Sequence, residues 1–207
     1  MTVEAEGITS YKRSLSDKIV ETAMTMFLRD GVRAVRMDDI SSALSISKRT
    51  LYELYRDKET LLHEGVRRLH ERKHDALVAF SSGERNVIEI VAYAYKMQLE
   101  YLKAANPLFF TDIGKYPAIQ KFFDEQTTKT RVQFKDFIAR GIHEGYFRPD
   151  LDVNIVAAIF ESVEDHFSRD NLHEQYPVEV LFSNIILTCI RGMCTPEGVH
   201  LIDSLLA

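Results

Sequence analysis

Cysteine is nearly absent: Cys189 and Cys194 are the only two in 207 residues. Two thiols close together in a helical pattern supply neither a disulfide framework nor a zinc cluster. No apolar run approaches the roughly 18–20 residues that a membrane span needs, which argues against a transmembrane helix. Short alternating apolar and polar runs bounded by hairpin turns are also missing, so little or no sheet is expected. The opening MTVEAEGITSYKR carries acids and no apolar h-region, unlike a secretory signal, and the chain is expected to be cytoplasmic. Nor is there an overall excess of positive charge. The formal net charge of −5 speaks at first against a polyanionic partner.

The balance that remains, 45% apolar and 28% charged residues, is that of a globular protein rather than a disordered one. The charge is unevenly spread. Residues 11–73 hold 14 Lys and Arg against 10 Asp and Glu, whereas residues 74–207 hold 12 against 19. A basic N-terminal third on an acidic body suggests that one end meets a polyanion.

All the periodicity is helical, so the expected fold class is all-α. A first helix is read from Ser14, in a capping-box pattern, to Gly31; Ile19, Ala23 and Phe27 form its apolar stripe, with Val20 and Met24 beside them. Short helices follow over about 38–44 and 48–55, separated by a turn at Ser45-Ile46. Asp57 is a plausible N-cap for a fourth helix reaching the late 70s. Ser81-Ser82-Gly83 breaks the pattern. Further helices are expected near 84–104, 107–115, 117–143, 151–169, 177–194 and 197–206, with prolines at several starts. The expected organisation is a flexible tail over 1–12, an N-terminal helical module over 13–73 and a second domain over 74–207.

Three helices with a tight turn between the last two make a helix-turn-helix, here over about 36–55. Met37, Ile40 and Leu44 give its first helix an apolar face. Ile46 fills the turn, and Leu51, Leu54 and Tyr55 form the inner face of the next helix. Lys48, Arg49, Tyr52 and Thr50 are left on the outside or the rim. In this motif the start of the recognition helix reaches base edges in the major groove, while flanking helix ends hold phosphates. Lys48 and Lys58 each begin a helix, where the backbone dipole disfavours a cation. A phosphate at those ends would reverse the sign of that effect.

The series Ile19, Ala23, Phe27, Gly31, Ile40, then Ile46-Ser47-Lys48-Arg49-Thr50-Leu51-Tyr52, Tyr55, Lys58-Glu59 and Leu61-Leu62 resembles the TetR/AcrR family of bacterial transcriptional regulators in order and spacing. The resemblance implies an all-α homodimer that binds palindromic double-stranded operator DNA and usually represses until a small molecule occupies its C-terminal domain. Carried over by position, it places Ser47, Lys48, Arg49, Thr50 and Tyr52 in the DNA interface and Lys58 on a backbone phosphate. Three positions depart from the family pattern. Ser41 replaces the usual Ala, and Leu44-Ser45 replaces a small pair that commonly ends in Gly. Arg36 replaces a capping Thr. A serine in the turn must take up the glycine-favouring conformation with a side chain attached. Arg36 reads as a phosphate contact that gives up a helix cap.

The C-terminal part is rich in aromatics at helical spacing, most of them core. If the resemblance holds, some line an apolar pocket for an effector, and Tyr93, Met97, Phe110 and Phe134 are the candidates. Ile155, Ile159, Val163 and Phe167 form one stripe. The stripe of Leu181, Phe182, Ile185, Ile186, Cys189, Ile190 and Met193 is too broad for one neighbour, as for a helix central in its domain or buried across a dimer. The resemblance implies a four-helix dimer bundle, and Ile159, Val163, Phe167, Phe182, Ile186 and Ile190 are its expected contacts.

His70-Glu71-Arg72-Lys73-His74 is a literal match to the HExxH metalloprotease pattern. A metal-dependent enzyme built on His70 and His74 is therefore the rival reading. The surrounding charges (Arg67, Arg68, Arg72, Lys73, Asp75) and the lack of a third ligand in sequence favour an ordinary solvated helix, with no metal or cofactor. The helix-turn-helix is also compatible with a transcriptional activator of the family, or with an interaction module that no longer binds DNA.

Overall fold

The computed structural model describes the backbone of residues 2–169 and 176–207, and the side chains of 11–160, 162 and 176–207. Among the described residues it holds helices and no strand. They are α1 (Thr2–Asp30), α2 (Met37–Ala43), α3 (Lys48–Leu54), α4 (Lys58–Ser81), α5 (Val87–Ala104), α6 (Pro107–Ile113), α7 (Pro117–His143), α8 (Val153–Arg169), α9 (Val178–Met193) and α10 (Pro196–Leu206). The all-α expectation holds, and Asp57 does cap α4, its carboxylate accepting the Thr60 N–H at 2.7 Å. α1 begins at Thr2 and runs through the segment read as a tail. Ser14, read as the start of the helix, lies inside α1, and Ser16 bonds its hydroxyl to that of Tyr55 at 2.8 Å.

The chain divides into two compact units. One comprises the residues up to Glu71 together with Ala105–Gln120; the other comprises Arg72–Ala104 and Lys121–Ala207. In the first, Ile19, Ala23 and Phe27 of α1, Ile40 of α2, Leu51 of α3, Leu61 and Leu62 of α4 and Phe109 of α6 are all essentially inaccessible. Apart from Ala23, each such side chain contributes about 1.5–3 kcal/mol of burial. In this division segment 105–120 groups with the N-terminal helices. Asn106 explains the attachment. Its N–H reaches the Leu28 carbonyl at 2.7 Å, its amide the Arg29 carbonyl at 2.9 Å, and its side-chain oxygen caps α6 through the Leu108 N–H. Asp112, buried, accepts the Arg33 N–H at 2.8 Å. Gly31 lies between them with φ +85°, and a Cβ there would stand 3.0 Å from that of Leu108. Conformation and space both require glycine.

The second unit packs Val87, Ile88 and Ala92 of α5, Ile138 of α7, Phe147, Val156 of α8, Ile190 and Met193 of α9, Cys194, and Ile202 of α10 into one core. Antiparallel backbone bonds from Arg148 N–H to Met193 (2.9 Å) and from Thr195 N–H to Tyr146 (2.9 Å) tie the end of α9 to the segment after α7. Both cysteines are free thiols.

Candidate nucleic-acid interface

The helix-turn-helix is built from α2, a four-residue turn and α3. Ser45 holds φ at +53°, the only non-glycine residue with positive φ among the described residues, so the missing glycine leaves its conformation behind. The turn is closed by the Ile46 N–H on the Ser41 carbonyl at 3.0 Å. Ser41, where a smaller residue is usual, is buried, and its hydroxyl donates to the Asp38 carbonyl at 3.0 Å, leaving no orphaned polar group. Ser47 caps α3, its hydroxyl accepting the Thr50 N–H at 3.0 Å. Leu51 and Tyr55 point inward; Lys48, Arg49, Tyr52 and Glu53 point out, with Tyr52 47% exposed. Positions 48, 49, 52 and 53 form one outer face because residues four apart lie above one another on a helix.

Arg36 stands at the N-cap of α2 without a side-chain cap, as expected of a guanidinium, which has no acceptor. The compensation comes from the other side: the Asp39 carboxylate accepts the Arg36 N–H at 2.7 Å, one half of a capping box. The Arg36 side chain is thus left exposed on the same unit as α3.

The cations on this face are answered within the molecule. Lys48 Nζ donates to Asp38 Oδ2 at 2.5 Å, and Arg49 Nε to Glu53 Oε1 at 2.8 Å. Lys58 departs from the expectation. Its ammonium turns inward and donates to the Val32 and Val35 carbonyls at 2.8 and 3.0 Å, which satisfies the chain between α1 and α2. Burial lowers its pKa, opposed by the nearby Asp112 carboxylate. The position looked like a phosphate anchor because a sequence shows which helix start bears the lysine, not which way its four-carbon stem runs. Glu53 went unnoticed in the sequence, although its place four residues after Arg49 was the signal.

The effector candidates fall in different units: Phe110 packs edge-on against Phe109 in the N-terminal one, and Tyr93, Met97 and Phe134 belong to the C-terminal one. Tyr93 stacks on Phe80 with centroids 4.1 Å apart, and Phe134 leans on Phe160 at 5.3 Å. A groove of about 400 Å3 in the C-terminal unit is lined by Tyr95, Leu99, Leu187 and Leu206 with Lys96 and Arg191 beside them, and includes none of the four. Of the expected dimer contacts, Ile159 is about half exposed on α8, with Ile155 beside it. Phe182 is half-buried against Tyr95, and Ile186 half-buried on the core. Ile190 is buried in its own chain's core, so it has no free surface for a partner. The breadth of the α9 stripe came partly from a central position. The side chains of Val163 and Phe167 lie outside the described residues.

In the HExxH match, Glu71 is held by Arg67 at 2.5 Å, and Lys73 donates to Gln98. Among the described residues no group of three or more His, Cys, Asp or Glu side chains is placed to hold a metal.

A family model described as bacterial regulatory proteins, tetR family, matches residues 19–64. The HTH-type transcriptional repressor KstR2 of Mycobacterium tuberculosis (strain ATCC 25618 / H37Rv) is 26% identical over 156 residues, 73% of this chain and 78% of that protein. The biofilm operon icaADBC HTH-type negative transcriptional regulator IcaR of Staphylococcus epidermidis is 36% identical over 52 residues, 25% of this chain and 28% of its own. Among solved structures, a putative transcriptional regulator from Saccharomonospora viridis in complex with choline superimposes with TM-score 0.69 at 20% identity, covering 88% of this chain and 99% of its own.

Proposed function

The chain belongs to the tetR family of bacterial regulatory proteins, a DNA-binding transcriptional regulator, and from that premise we propose that it is a ligand-responsive repressor that binds a palindromic operator as a homodimer. The observation that carries the proposal is the outer face of α3, where Lys48, Arg49 and Tyr52 stand exposed above a buried Leu51. Arg36, Ser47 and Thr50 complete the DNA-contacting set, and Lys58 acts from behind it by fixing the loop after α1. Relatives named as repressors support the direction of control. The half-exposed Ile155 and Ile159 on α8 support a two-fold partner, since exposed apolar residues in a row mark an interface. Two-fold symmetry would set two recognition helices about 34–36 Å apart on successive major grooves. Tyr93, Met97 and Phe134 remain the proposed effector wall, and a regulator of the same fold that holds choline is consistent with a small-molecule site.

Selection from random duplex DNA, followed by titration at several salt concentrations, tests this reading. A two-fold symmetric consensus bound by a dimer, with affinity falling steeply as salt rises, is expected. Equal affinity for the selected and a scrambled duplex at physiological salt would overturn operator recognition, and a monomer on the selected site would overturn the symmetric dimer. A metabolite that raises Tm and releases the selected DNA is the expected sign of an effector.

A further inference from the structure

The four carboxylates from Arg36 to Asp57 divide by what they hold. Asp39 and Asp57 accept backbone N–H groups at the starts of α2 and α4, so the fold itself employs them. Asp38 and Glu53 hold side-chain cations: Asp38 holds Lys48, and Glu53 holds Arg49. All four of these partners are more than half exposed, at 64% and 51% for the first pair and 88% and 61% for the second. Ion pairs this exposed contribute little to folding, so stability does not explain them.

The two pairs differ in geometry. An ammonium is a point charge with rotating donors, and Asp38 can only compete for it. A guanidinium is a planar fork. Glu53 Oε1 takes the Nε edge of Arg49 at 2.8 Å, and no other described contact reaches Nη1 or Nη2. Those two nitrogens are the pair that can donate side by side to O6 and N7 of guanine, the commonest specific contact in the major groove. A carboxylate on the Nε edge fixes the plane of the fork before DNA arrives, so less rotamer freedom is lost on binding. Where no guanine faces the fork, the same carboxylate stands near phosphates and opposes the complex.

We propose that Arg49 reads a guanine in each operator half-site and that Glu53 is the positioning residue that aims it. The inference rests on the DNA-binding reading above and adds a base and a second residue to it. Four proteins are compared: the wild type, Glu53→Gln, Arg49→Lys and Asp38→Asn. Each is titrated against the duplex selected by the wild type, the same duplex with each guanine in turn changed to adenine, and a duplex of scrambled sequence. For the wild type, one guanine per half-site should weaken binding about 10- to 100-fold when replaced, the range of a bidentate contact. That penalty should shrink by about two- to fivefold in Glu53→Gln, the scale of an exposed ion pair, with affinity for the scrambled duplex unchanged or higher. Arg49→Lys should lose the penalty, because it keeps the charge and not the fork. Asp38→Asn should keep it while binding both duplexes more tightly, by similar factors. A gain on scrambled DNA cannot arise from misfolding. If Glu53→Gln keeps the full guanine penalty, or Arg49→Lys leaves every guanine as important as before, the assignment fails while DNA binding stands. If the wild type binds no duplex even at low salt, the DNA-binding reading fails and takes this inference with it.

Discussion

Lys73 is an amine in the wrong solvent, and replacing it with methionine should stabilise the fold near neutral pH. Its ammonium lies 3.4 Å above the Tyr101 ring centroid and donates to Gln98 Oε1 at 3.0 Å, with no carboxylate answering its charge among the described residues. Burial brings its pKa down from 10.5 to about 8. At ~1.4 kcal/mol per tenfold change, a fully dry site would penalise the charged form by on the order of 3 kcal/mol. Water reaches part of this side chain, and we take about half of that. The cation–π contact, about 0.5–1 kcal/mol, is lost in the variant. The net expectation for Lys73→Met is a gain of roughly 1 kcal/mol at pH 7.

The sign of the pH dependence follows from the lowered pKa. Between about pH 8 and 10.5 the unfolded lysine keeps a proton that the folded one has released, so wild-type stability rises with pH through that window. Below pH 8 both states are charged and the penalty is fully present. Urea unfolding of both proteins at pH 7, 8, 9 and 10 measures this. The other titrating groups cancel in the difference between them, which should fall from about 1 kcal/mol towards zero. A difference that stays constant from pH 7 to 10 would refute the reasoning, as would a variant weaker by more than about 1 kcal/mol at pH 7.

Other changes probe other parts of the chain. Ser45→Gly relieves a positive φ of 53° and should add about 1 kcal/mol, raising Tm by about 2–4 °C; an unchanged melt would mean that the turn stores no strain. Gly141→Ala would place a Cβ 2.0 Å from Phe147 Cδ2, so despite a better helix propensity it should cost about 1–3 kcal/mol in denaturant unfolding. Trimming Phe147 to Leu in the same chain should recover part of that. Ile159→Asp puts a charge on the exposed stripe of α8 and should weaken dimerisation at least about tenfold in sedimentation equilibrium without lowering monomer stability. A dimer as tight as the wild type's removes α8 from the interface.

Much of the fold was legible because it follows from local spacing. Ile19, Ala23 and Phe27 recur every four residues and are buried; Asp57 stands where a cap is needed and accepts the Thr60 N–H. Ser45 was legible in a stricter sense, since the turn's geometry is fixed and any residue there must adopt it. Positions whose meaning depends on a distant partner were not legible. Lys58 read as a phosphate anchor until the Val32 and Val35 carbonyls took its ammonium, and nothing local marks that Ser16 meets Tyr55 across the unit.

The sequence by itself determined that the chain is helical, where its helices break, and which face of α3 turns outward, because periodicity, caps and turns act over a few neighbouring residues. Tertiary structure alone decided that segment 105–120 joins the N-terminal helices, that Ile190 serves its own core, and that the Lys58 ammonium turns inward to the Val32 and Val35 carbonyls. Those outcomes rest on where long side chains end and which elements meet, and no local pattern specifies either.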